Sequence, residues 1–535
     1  MGAWKNNPTA WTYRWQDCTG SGHCKAIAGA TGRTYIVRAR DIGYRLVVVV
    51  SAHNAAGTAS DPSGPTPVVT ASCSCSLLRA IDGGPRYFAN LGSHSAWADS
   101  KVLLGGFLEE PASATDVAYD AKMGNNVYWN LAGPSGGGSV DYNVIRCPSH
   151  PSSTDVCADG MHVFAPTRDA TTGAETIGWA GLDEADLRFG SGSGGFVNDS
   201  SGDNVKGCSP SSSACGYSAA GFYYRGAPLP VSGPAKLRYP IDGRAIEQGM
   251  GESVLFFAQN PEAARFMAYS DIESADSYWI SAGPSLDGFT TACRMVPLAD
   301  PRCADYSGNG TGLTSAEEDL PANYAYNVTR LEYLDRLEGK IKPIAVDVET
   351  DCPFAAPKPC TTPPQMTASA WHALIAGARG IIWFQQDFGS GCPTDYDPFY
   401  DGSDPANANY GCHYTAGYTV HDMVAAVTAF NKEVAALNEV LLSPFADGEV
   451  STRADVSVMA KAANGNTKCW LFAGAGQPAR PPADGMAATF SLANRYSGPV
   501  AVYGEGRTVT ATDGEFTDAF ANANAVHIYE IPAAC

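Results

Sequence analysis

No stretch of the sequence approaches the roughly 20 consecutive apolar residues that a membrane-spanning helix needs, so membrane insertion is not expected. Basic residues are scarce: 35 Lys and Arg face 55 Asp and Glu, giving a formal charge of −20. With no basic stripe to reverse that sign, the chain would repel nucleic acid and anionic membranes rather than bind them. Motifs for metal, redox and phosphate chemistry are missing too. None of the 16 cysteines forms a CxxC, and the nine histidines form no HExxH. The Gly190–Gly195 loop lacks the lysine of a P-loop, and Asp395, Asp397, Asp401 and Asp404 lack EF-hand spacing. No cofactor is expected. The start, Met1-Gly-Ala-Trp-Lys5, has neither the charged nor the apolar region of a signal peptide, which suggests a mature secreted fragment or a chain cut from a longer one.

What is present suits a loop-rich, secreted protein. Only 17% of residues are charged, whereas Gly (57), Pro (35) and Tyr (25) are plentiful, and 44% hydrophobic residues allow a large core. The length implies several domains. Most cysteines fall into close pairs: Cys18/Cys24, Cys147/Cys157, Cys208/Cys215, Cys293/Cys303, Cys352/Cys360 and Cys392/Cys412. Local disulfides made in an oxidising compartment explain this spacing. Cys469 and Cys535 are placed to pair in the last domain, while Cys73 and Cys75 have no evident partner. Three sequons, at Asn198, Asn309 and Asn327, lie in loop-like sequence. A monomer is expected.

Residues 1–70 alternate apolar and polar positions, with Trp11, Tyr13 and Trp15 on one face, followed by the dense run Leu46–Val50. Short strands between Gly and Asn turns predict a small β-sandwich. From about Leu77 the texture becomes strand, helix, strand. Strands are predicted at 102–108, 126–131, 161–165, 177–182, 253–258, 277–280, 343–348 and 380–384. Helices are predicted from Ser113 or Thr115 to Gly124, around Trp371–Ala378 and over Met423–Leu441. Eight alternating units predict a closed (β/α)₈ TIM barrel over 77–442. Five cysteine pairs follow the second, fourth, sixth, seventh and eighth of these strands, which puts them on the loops of the barrel's catalytic face. Beyond Ser443, strands at 456–459, 468–472, 488–492, 500–503 and 526–531 predict a C-terminal β-sandwich over 443–535.

Two glutamates close strand-like runs: Glu184 in Gly178-Trp-Ala-Gly-Leu-Asp-Glu-Ala-Asp186 and Glu349 in Lys342-Pro-Ile-Ala-Val-Asp-Val-Glu-Thr350. They follow the fourth and seventh predicted strands. Carboxylates at strand carboxyl ends face the one rim where such barrels do chemistry. Glu109 and Glu110 after the first strand compete with them, and Asp347 shares a face with Glu349 at greater depth.

Barrel, two strand-end glutamates and trailing sandwich together resemble the retaining glycoside hydrolases of clan A. The N-terminal segment, with Gly29-Ala-Thr-Gly-Arg-Thr-Tyr35 and Val50-Ser-Ala-His-Asn54, resembles Ig-like or fibronectin-III-like modules. The clan resemblance implies that Glu184 is the acid/base and Glu349 the nucleophile. It places Asp183 where the clan usually has Asn, Trp383 where a sugar face is stacked, and Tyr278 where a tyrosine holds the nucleophile. Trp129, Asn130, Trp179, Trp279, Gln385 and Glu110 complete the expected substrate-binding set, for a poly- or oligosaccharide. Two other readings stay open: a non-catalytic carbohydrate-binding or cell-surface protein on the same barrel, and a serine esterase. The latter would use Ser135 in Gly133-Pro-Ser-Gly-Gly137, although no helix pattern follows that motif.

Overall fold

The computed structural model describes parts of 8–66, most barrel elements between 97 and 384, and 417–535 almost throughout. Among the stretches outside the described residues are 67–96, 108–113, 130–141, 147–160, 181–244, 258–266, 281–313, 351–359 and 385–416. The chain divides into two compact units, Met1–Ser74 and Cys75–Cys535.

In the first unit, β1 (Ala10–Cys18), β2 (Cys24–Ala26), β3 (Arg45–Asn54) and β4 (Gly57–Pro62) form an antiparallel sheet in the order β2-β1-β3-β4. The Cys18–Cys24 disulfide closes the β1-β2 hairpin, as the spacing predicts. Trp15 donates its indole N–H to the Gly32 carbonyl at 3.0 Å.

The second unit contains β5 (Leu103–Gly106), α1 (Ala114–Met123), β6 (Val127–Trp129), α2 (Tyr142–Arg146), β7 (His162–Ala165), β8 (Thr176–Ala180), β9 (Ala245–Met250) and β10 (Ile272–Ala275). Next come α3 (Ser315–Glu318), α4 (Tyr324–Leu337), β11 (Ile344–Glu349), α5 (Pro363–Ala376), β12 (Gly380–Phe384), α6 (Val420–Ala436) and α7 (Asn438–Leu441). The eight strands β5 to β12 are parallel, in the order β5-β12-β11-β10-β9-β8-β7-β6. A parallel bridge between Phe107 and Trp129 joins the two ends of that order. Asn126 completes the closure: its backbone N–H donates to Leu104 O at 2.7 Å, its Oδ1 accepts from Leu104 N at 3.0 Å, and its Nδ2 donates to Val102 O at 2.9 Å. The TIM barrel is therefore present.

Local chemistry explains the outer helices. α5 starts with a capping box between Thr362 and Gln365 and Pro363 in its first turn, and stops at Gly377, whose φ of 121° suits only glycine. α6 starts with the same device, Thr419 and Asp422. Strand parity divides the core in two. Leu103, Val127, Trp129, Phe164, Ala245, Ile272, Ala345 and Ile382 form one cluster, which fills the lumen. Met250, Ala275, Val346, Val348, Ile381 and Trp383 point the other way and join the helices. Trp129 stacks on Phe164 with 4.6 Å between centroids, so the interior is packed solid.

Two predicted strands are corrected. The fifth is the polar run Ala245–Met250, whereas the apolar run Ser253–Phe257 is a single π-helical turn with Val254, Leu255 and Phe256 buried. The sixth is Ile272–Ala275, so Tyr278 and Trp279 lie in the loop beyond it. Apolar content misled both assignments, because β9 and β10 carry Glu247, Gln248, Glu273 and Ser274, all buried. Asn327 is corrected too: it lies within α4, fully buried, accepting the Trp279 indole N–H at 3.1 Å. A glycan cannot reach it in the folded protein.

The C-terminal region forms two antiparallel sheets. β13 (Val450–Thr452), β16 (Met486–Leu492) and β19 (Glu515–Phe520) make one, in the order β13-β16-β19. β14 (Val456–Ala463), β15 (Lys468–Ala475), β20 (Val526–Ile531), β17 (Gly498–Val502) and β18 (Arg507–Ala511) make the other, in that spatial order. Phe490 and Phe516 of the first sheet meet Tyr529 of the second at 5.5 and 5.0 Å, which is sandwich packing. The predicted Cys469–Cys535 disulfide ties the last residue to β15, and Cys360 is also disulfide-bonded. The sandwich packs on the barrel through α5: Trp371 lies 5.8 Å from Phe472, and a Cβ at Gly474 would sit 2.6 Å from the His372 ring.

Below the strands, at the face opposite their carboxyl ends, Lys342 donates a hydrogen bond to Glu273 of β10 and lies 3.4 Å from Asp335 of α4. All three are buried. Burial, reinforced by the Asp335 charge, pushes the Glu273 carboxyl up from 4.5 to about 8 despite Lys342. Burial thus favours the protonated form of Glu273 in the folded protein. The folded protein keeps that proton up to about pH 8, while an unfolded glutamate releases it near 4.5. This contribution to stability is therefore complete below pH 4.5 and is lost as pH rises to about 8. Glu273→Gln, which mimics the protonated form, is expected to flatten the fall in Tm between pH 5 and 8. A parallel wild-type and variant profile would rule this out.

Candidate active site

The seventh barrel strand, β11, alternates strictly. Ile344, Val346 and Val348 face the helices, which leaves Ala345, Asp347 and Glu349 on the lumen side. Glu349 is the last residue of the strand and is 0% exposed. Its Oε1 accepts the Tyr324 hydroxyl at 2.6 Å and the Ile280 backbone N–H at 2.7 Å. Tyr324 also accepts the Glu349 backbone N–H, at 3.5 Å. Two converging donors on one oxygen fix the carboxylate's rotamer.

Three aromatic rings lie beside it. Phe384 ends β12 in register with Glu349, Tyr278 meets Phe384 edge-on at 4.7 Å, and Phe107 lies 6.0 Å from Phe384. Deeper in the lumen, the Ser274 hydroxyl donates to Glu247 Oε1 at 2.6 Å, and Asp347 is 4% exposed. Among the described residues, no group of three or more His, Cys, Asp or Glu is placed to hold a metal ion.

Of the residues singled out from sequence, Glu349 and Tyr278 come together at this rim. Trp129 lies on the lumen side as part of the packed interior, where its Cζ2 approaches Gly380. Trp179 faces outward among Val117, Tyr128, Tyr142 and Ile145 of the α1–α2 side. Trp383 also faces outward, with its indole N–H donating to Asn431 Oδ1 of α6 at 3.3 Å. Trp279 packs edge-on against Phe256 and Tyr326. Glu184, Asp183, Asn130, Gln385, Glu109, Glu110 and Ser135 lie outside the described residues, as do both cysteines of the pairs 147/157, 208/215, 293/303 and 392/412. In sequence, Glu184 follows the end of the fourth strand, β8, by four residues.

Sequence reasoning missed Tyr324, Phe107 and Phe384. Phe384 was legible by parity, since Gly380 and Ile382 share its face. Tyr324 was not, because it starts a helix 25 residues before Glu349.

No known protein family matches the sequence, and no curated protein matches it. Solved structures similar to the chain include AmyP in complex with maltotriose, at 9% identity over 82% of this chain and 98% of that one, with a TM-score of 0.38. A glycoside hydrolase family 5 protein from Bacteroides vulgatus is similar at 10% identity over 81% and 89%, TM-score 0.41. The β-D-glucuronidase of Dictyoglomus thermophilum is similar at 8% identity over 79% and 64%, TM-score 0.28. At such values the functional reading rests on the barrel and its rim rather than on these proteins.

Proposed function

We propose that the chain is a secreted glycoside hydrolase that cleaves a poly- or oligosaccharide with retention. Glu349 acts as nucleophile and Glu184 as acid/base. The observation that carries this reading is Glu349 itself: a buried carboxylate ending the seventh strand of a parallel barrel, at the rim where barrel enzymes react, with one oxygen clamped by two donors. In the first step Glu349 bonds to the anomeric carbon while Glu184 gives its proton to the departing glycosidic oxygen. In the second, Glu184 takes a proton from water, whose oxygen displaces Glu349. Asp183 and Asp186 beside Glu184 supply like charge that would help it hold a proton. Phe107 and Tyr278, both half-buried and both packed on Phe384, offer flat apolar surface for a sugar face.

The disulfides support export to an oxidising compartment. We assign 1–70 as an Ig-like module that spaces or binds, 77–442 as the catalytic barrel and 443–535 as the sandwich. Hydrolysis of a panel of aryl glycosides and oligosaccharides, with the first-formed anomer read by NMR, tests the reading. Retention at the anomeric carbon is expected; inversion, or turnover undiminished by Glu184→Gln, would refute it.

A further inference from the structure

We propose that the C-terminal sandwich is a positioning element of the candidate active site, acting through the turn Gly476–Arg480, Asn323 and Tyr324 upon Glu349. This rests on the reading of Glu349 as nucleophile. The turn joins β15 to β16 and is braced at its base by its own domain. Gly476 N–H donates to Asp455 O at 2.7 Å, Ser457 donates to Gly476 O at 3.1 Å, and Arg480 pairs with Asp455 at 2.8 Å. Gln477 and Arg480 close it by mutual backbone bonds of 3.3 and 2.9 Å.

At its tip Ala479 holds φ at 56°, the left-handed region that disfavours any residue with a Cβ, and it is fully buried. That conformation aims its N–H at Asn323 Oδ1, 2.7 Å away. Asn323 is itself fully buried. Its Nδ2 donates to the carbonyls of Glu317 and Glu318, both at 2.8 Å, which locks the short α3 segment to the start of α4. The next residue, Tyr324, is the one whose hydroxyl holds Glu349 at 2.6 Å. A Cβ on Gly476 would stand 3.4 Å from Ala322 Cβ, so the turn also seats against the residues before Asn323. A strained alanine with a single well-aimed donor, directed one residue from the nucleophile's tyrosine, is costly as mere domain packing and useful as a strut.

Asn323 and Ala479 are thus positioning residues; neither reaches the reacting carbon. Asn323→Ala in the full-length protein is expected to lower kcat on an activated aryl glycoside between about tenfold and about a hundredfold, with KM little changed, because a misplaced nucleophile loses alignment rather than substrate affinity. Tyr324→Phe is expected to do the same. The double variant should be no worse than the poorer single, since both act along one path. A second readout needs no turnover: a water-soluble carbodiimide with an amine, followed by peptide mass analysis, should label Glu349 in folded Asn323→Ala more than in wild type. Should Asn323→Ala fail to fold, Asn323→Ser, whose hydroxyl falls short of Ala479, carries the same expectations. Wild-type kcat together with wild-type labelling in a folded Asn323 variant overturns the proposal. Absence of hydrolysis by the wild-type protein instead overturns the glycosidase reading, and the labelling still decides the strut.

Discussion

Glu349→Ala is expected to reduce kcat on an aryl glycoside by about 10³-fold or more while leaving the fold intact, and added azide is expected to restore turnover as a glycosyl azide. The loss follows from the two-step reaction, in which no glycosyl-enzyme forms without the carboxylate. The rescue follows from shape: alanine leaves a space beneath the anomeric carbon, flanked by the Ile280 N–H and the Tyr324 hydroxyl, which a small anion can fill. The azide product should carry the anomeric configuration opposite to the substrate's, because a single displacement replaces two. If Glu349→Ala keeps wild-type turnover, the nucleophile lies elsewhere on the rim. If azide rescues with retention, Glu349 has some other role.

The largest structural effect is expected from Gly105→Ala. Gly105 lies on β5 where the barrel closes on β6, and an added Cβ would fall 1.6 Å from the Val127 carbonyl oxygen. No rotamer relieves a clash with backbone, so β5 and β6 must part, breaking the Asn126 bonds that join them. The cost should be on the order of 5 kcal/mol or more, comparable to the whole stability of many domains. The measurement is a thermal melt of the purified variant beside wild type. Loss of the main cooperative transition, or recovery only in inclusion bodies, is expected, and a melt within a few degrees of wild type would refute it.

Much of the architecture was legible because its physics is local. Six of the eight barrel strands, three helices and most sandwich strands announce themselves by apolar periodicity and caps. β9 and β10 did not, since their buried polar residues depend on tertiary partners: Ser274 for Glu247, Lys342 for Glu273. Glu349 was legible as a strand-end carboxylate on the seventh unit. Its surroundings were less so. The tryptophans Trp179, Trp383 and Trp279 attracted attention by residue type, yet parity or a loop sends each into packing, and the smaller Phe107 and Phe384 take the rim. Tyr324 reaches Glu349 only through the winding of the chain between β10 and β11, which no spacing rule encodes.

The stack of Trp129 on Phe164 makes the barrel a blind well. With its floor stoppered, anything that reaches Glu349 must arrive and depart by the same doorway. On the proposed glycosidase reading, a spent fragment therefore stands in the path of its successor. Turnover would then be tied to how quickly the fragment leaves as much as to how quickly the bond breaks.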